Sequence, residues 1–80
     1  MKNFEEFSKE TQQAIESFKE NFWIKMNQVY HYLSDNHSIE FAFGSCIEYT
    51  ESFLILNGAK YPEELLEACL YIQSKNFFRN

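Results

Sequence analysis

No glycine precedes Gly44 and no proline precedes Pro62, so nothing in the first half of the chain interrupts a helix. Across that stretch Phe4, Phe7, Ala14, Ile15, Phe18, Phe22, Met26, Val29 and Leu33 recur at helical spacing, with Thr11 filling the gap. At about 100° per residue they fall in a sector of about 120°, the apolar stripe of a core-facing helix. Asn3 is positioned as N-cap, Glu5 and Glu6 complement the dipole, and Ser34-Asp35-Asn36-His37-Ser38 is a polar stop. A continuous helix over these residues would be about 45 Å long, against about 25–30 Å for a compact domain of this size. The helix is therefore expected either to bend near Glu20-Asn21 or to overhang and pack on something else.

Residues 39–56 are patterned differently. Ile39, Phe41 and Phe43 alternate with Glu40 and Ala42, and Ile47 and Tyr49 alternate with Cys46, Glu48 and Thr50. Loops at Gly44-Ser45-Cys46 and Thr50-Glu51-Ser52 would pair Phe43 with Ile47, Phe41 with Tyr49, Tyr49 with Phe53 and Ile47 with Ile55, all on one face. The alternation predicts a three-stranded antiparallel meander. Asn57-Gly58 is compatible with a strand exit, a hairpin or a helix C-cap, and Pro62 opens a final helix whose apolar face is Leu65, Leu66, Cys69, Leu70 and Ile72. Of the adjacent Phe77 and Phe78, at least one is expected to dock. The expected fold is α+β in the order αβββα, a single domain over residues 1–80; the alternative is an all-α helical bundle.

That order of elements is similar to the double-stranded-RNA-binding domains. Where those domains place clustered lysines at the start of the last helix, this chain has Tyr61-Pro62-Glu63-Glu64. The resemblance is one of order, and no function follows from it.

Seven basic residues against twelve acidic ones give a net charge of -5, which disfavours direct contact with a phosphate backbone. The nine Phe, five Tyr and one Trp supply large buried areas, which lets so short a chain build a core without disulfides. Cys46 and Cys69 are too few for an oxidised scaffold, and neither a signal peptide nor a membrane-spanning run is present, so a cytoplasmic, reduced chain is expected. His31, His37, Cys46 and Cys69 match no zinc spacing. Gly44 and Gly58 stand alone, so no phosphate loop exists, and the carboxylates are spread over helical surfaces. No metal, no cofactor and no enzymatic activity are expected.

What remains points to binding. Trp23 and Tyr30 lie seven residues apart on a flank of the first helix with Glu16 and Lys19, the composition of an interface hot spot. Glu20 with its acidic neighbours studs the outer helix face, and Glu48 and Glu51 would line the outer face of the sheet, a surface able to compete for a basic nucleic-acid channel. These residues predict a non-enzymatic inhibitor or regulator of a larger complex, of the anti-CRISPR-like, anti-defence kind carried by phages and mobile elements. Its partner would present a basic or apolar surface; a membrane is not expected. The alternative is a self-associating assembly subunit, a homodimer paired through the long helix.

Overall fold

The apolar run from Phe4 to Leu33 is helical, but in three pieces. A computed structural model describes residues 2–77, with the backbone alone at Glu20, Asn21, Asn76 and Phe77. A 3-10 turn over Phe4–Glu6 is followed by α1 (Lys9–Glu16) and α2 (Glu20–Asn36), then by α3 (Ile39–Leu56) and α4 (Pro62–Phe77). Asn3 caps the first turn, and the Glu6 carboxylate accepts a hydrogen bond from its amide at 3.0 Å. Ser8 then leaves helical geometry to cap α1, its hydroxyl accepting from the Thr11 amide at 3.3 Å.

The second break falls at Ser17–Lys19. Ser17 turns its hydroxyl back onto the Gln13 carbonyl at 3.0 Å, a local bond that competes with helix propagation. The break swings Phe18 inward, where it is buried and meets Trp23 edge-on at 4.9 Å and Phe53 edge-on at 4.9 Å between centroids. It also removes the length conflict, since the molecule measures 37 × 23 × 22 Å. The expected stripe is largely the observed one: Phe7, Thr11, Ala14, Ile15, Phe18 and Met26 are buried, Phe4, Val29 and Leu33 are half-buried, and Phe22 sits at the edge.

Residues 39–56 form one helix, not a meander, and no strand occurs among the described residues; the architecture is the all-α alternative. The physical reason is visible in what α3 buries. Ala42, Cys46, Thr50, Phe53 and Leu54 are interior, a row at three- and four-residue spacing made mostly of small side chains. The large residues that mimicked a strand face lie elsewhere on the helix, with Ile39, Phe41, Phe43 and Ile55 exposed. Ser38 caps α3, its hydroxyl accepting from the Phe41 amide at 3.0 Å.

Small interior residues let α3 lie centrally, packed on α2, α4 and α1. The Cys46 thiol donates to the Met26 carbonyl at 3.7 Å, and the Thr50 hydroxyl donates to the Cys46 carbonyl at 2.8 Å. The first contact, together with the 3.2 Å approach of the Thr50 hydroxyl to the Met26 sulfur, places α2 close to α3, as small side chains permit. At the end of α3 the Gly58 amide bonds to the Ile55 carbonyl and the Ala59 amide to the Leu54 carbonyl. Gly58 takes a φ of 109°, so Asn57-Gly58 is a helix C-cap and not a hairpin. Pro62 is the first residue of α4, as its fixed φ favours. The expected docking of Phe77 or Phe78 lies outside the described side chains.

Among the described residues, one interior side chain is unpaired. Gln73, on α4, is buried and neither its amide nitrogen nor its oxygen has a hydrogen-bond partner. An orphaned amide costs more than an apolar group of the same shape. Gln73→Met is therefore expected to raise unfolding free energy by about 1 kcal/mol, read as a higher urea midpoint at unchanged slope. A lower midpoint would contradict this account.

Candidate functional site

A polar cluster joins α1 to α4. Glu64, in the first turn of α4, accepts from the Ser8 amide at 2.8 Å, the Ser8 hydroxyl at 2.7 Å and the Thr11 hydroxyl at 2.7 Å. Burial opposes its charged form, yet donation from Thr11 and Ser8 outweighs that cost and holds the carboxyl below its ordinary 4.5. Glu67 one turn on accepts from the Lys2 amide at 3.2 Å. An open cleft of about 290 Å³ lies beside them, lined by Lys2, Ser8, Tyr61, Glu63 and Glu64. The carboxylate that anchors this cleft is already committed to three donors, which makes it a structural clasp between helices and a poor general acid or base. Nothing in the sequence near Glu64 signals this role, because the pairing with Ser8 and Thr11 spans more than fifty residues of sequence.

Neither thiol is poised for chemistry. Cys46 and Cys69 are buried and unpaired with each other. Burial pushes the Cys46 thiol up, and burial followed by the charge of Glu51 pushes Cys69 up to about 12, so neither is a thiolate at neutral pH. The Cys69 thiol instead donates to the Ile47 carbonyl at 3.7 Å. Among the described residues no group of His, Cys, Asp and Glu side chains could hold a metal ion, and no helix is long and apolar enough to cross a membrane.

The expected partner-binding residues are divided by the fold. Trp23 and Tyr30 are half-buried and packed against the core cluster, on the inward side of α2. Glu16 is exposed on α1 and Lys19 is exposed at the start of α2; of Glu20 only the backbone is described. Glu48 is exposed and Glu51 half-buried, both on α3 and on the side turned away from Met26. The structure thus brings Glu48 and Glu51 together and separates them from the Trp23 and Tyr30 flank.

Sequence reasoning missed the surface that the fold leaves apolar. Tyr32, Ile39 and Phe41 are exposed around the turn between α2 and α3, and Ile55, Leu56 and Leu66 around the turn between α3 and α4. A solvated helix face would ordinarily be polar there, and exposed apolar groups on a small domain mark interaction sites. The available signal was the apolar content of 39–56 itself, which exceeds what one buried face of a helix can absorb.

Comparison with protein-family models, with curated proteins and with solved structures finds no match to this chain.

Proposed function

We propose that the chain is a non-enzymatic binding protein that inhibits or regulates a larger protein by occupying part of its surface. The observation that supports this reading is the exposed apolar population of α3 and its flanking turns, where Leu56 is 85% and Tyr32 67% exposed. An anti-defence inhibitor of the anti-CRISPR-like kind is its concrete form: the acidic, lysine-free face of α3 suits competition for a basic channel. The site of action is the cytoplasm, where Cys46 and Cys69 would remain thiols.

A photo-crosslinking residue placed singly at Phe41, Leu56 or Leu66, in the cells that encode the protein, tests the reading. One and the same larger protein should be captured from these positions and not from Gln13 on α1. The purified pair should then co-elute on sizing. Capture of this chain's own copies alone, or of nothing, would overturn the reading.

A further inference from the structure

The Cys69 thiol meeting the Ile47 carbonyl shows which sides of α3 and α4 face each other. On α3, Glu51 and Ile55 follow Ile47 at four-residue steps, each rotated about 40° further outward. On α4, Leu66 and Leu70 flank Cys69. The outward edge of this seam therefore carries Ile55, 52% exposed, Leu66, 55% exposed, and the half-buried Leu70. Glu51 lies at its centre, with Glu48 beside it on α3 and Glu63 at the start of α4, both exposed.

Among the described residues, no cation forms an ion pair at this edge. Helix α3 contains Glu40, Glu48 and Glu51 and neither Lys, Arg nor His. Lys60 pairs with Glu10 at 3.1 Å, Lys75 lies over the Tyr71 ring and Lys2 over the Phe7 ring. Among the described residues, Glu40, Glu48 and Glu51 have no ion-pair partner.

We infer that this α3–α4 edge docks an amphipathic helix of the larger protein, one whose apolar stripe is bordered by lysine or arginine. The inference rests on the binding role proposed above and names its partner chemistry. Apolar residues at helical spacing would fill the strip formed by Ile55, Leu66 and Leu70, and flanking cations would meet Glu48, Glu51 and Glu63. A second copy is a poor occupant, because it would set the carboxylates of one α3 against those of the other. Nucleic acid and anionic lipid are repelled for the same reason.

The probe is a fluorescently labelled synthetic helix with leucines at positions i, i+3, i+4 and i+7 bordered by lysines, titrated with the full chain by anisotropy. A peptide with glutamate in place of each lysine is its control. The lysine peptide should bind, more weakly as salt rises, and the glutamate peptide should not. Glu48→Lys with Glu51→Lys should weaken binding at least tenfold, whereas Glu5→Lys with Asp35→Lys, the same charge change elsewhere, should alter it less than twofold. Ile55→Ser with Leu66→Ser should also weaken it at least tenfold while circular dichroism at 222 nm is unchanged. Equal loss from both charge pairs would overturn the docking site in favour of net charge alone. Dimerisation in light scattering that Ile55→Ser abolishes would overturn it in favour of a second copy, and cosedimentation with phosphatidylcholine–phosphatidylglycerol vesicles in favour of a lipid surface. If crosslinking captures a larger protein while the lysine peptide fails to bind, the binding role stands and this partner chemistry is wrong.

Discussion

Glu64→Ala is expected to lower unfolding free energy by about 3 kcal/mol, since it strands two hydroxyls and an amide that now donate to a carboxylate. For a chain of this length the whole stability is of order 5–10 kcal/mol, so the variant sits near the threshold of folding at ambient temperature. Glu63→Ala, one residue away and exposed, should fall within about 0.5 kcal/mol of the parent. Urea titration followed by Trp23 fluorescence measures both. The charge makes a second, independent prediction. Because the folded-state carboxyl titrates below its ordinary 4.5, its contribution is complete above that value and is lost as pH falls through the lower, folded one. The parent should therefore lose stability on acidification below about pH 4.5, and Glu64→Gln should show a shallower acid limb while being less stable at pH 7. An unchanged limb would show that Glu64 is not the titrating clasp.

The clasp also explains why the N-terminal half was only partly legible. The stripe from Phe4 to Leu33 is a local signal, and it identified the interior residues almost one by one. The breaks are not local. Ser8 leaves the helix because its amide and hydroxyl are claimed by Glu64, and Ser17–Lys19 unwinds so that Phe18 can reach Phe53. Asn3, the polar stop Ser34-Asp35-Asn36-His37-Ser38 within which α2 ends at Asn36, and Pro62 were readable because caps and proline act through neighbouring backbone. Of the proposed surface, the sequence shows the acidic residues but not which apolar ones the fold leaves exposed. Glu48, expected on the outer face of the three-stranded meander, is exposed on α3 as well and Glu51 is half-buried there, whereas Trp23 and Tyr30 turn inward once α2 is redirected at Lys19.

Four consecutive residues separate the helical from the extended reading of 39–56. In an extended strand, side chains alternate, so Phe53 and Ile55 would share the interior and Leu54 and Leu56 would share the solvent. In α3 the division falls differently: Phe53 and Leu54 are buried, with Leu54 at 0%, while Ile55 and Leu56 are exposed. Leu54→Ala is accordingly expected to cost about 3 kcal/mol and Phe53→Ala about 4 kcal/mol, from lost burial and residual cavity. Ile55→Ala and Leu56→Ala should each cost less than about 0.5 kcal/mol. Denaturation midpoints of the four variants decide it; costs paired as 53 with 55 would restore the sheet. The alternation misled because the residues that specify α3 are the inconspicuous ones. Ala42, Cys46 and Thr50 are small enough to admit α2 closely, so the interior row carries little hydrophobic weight in the sequence. Phe41, Ile55 and Leu56, which carry much of that weight, are left facing outward on the helix that the proposed partner would cover.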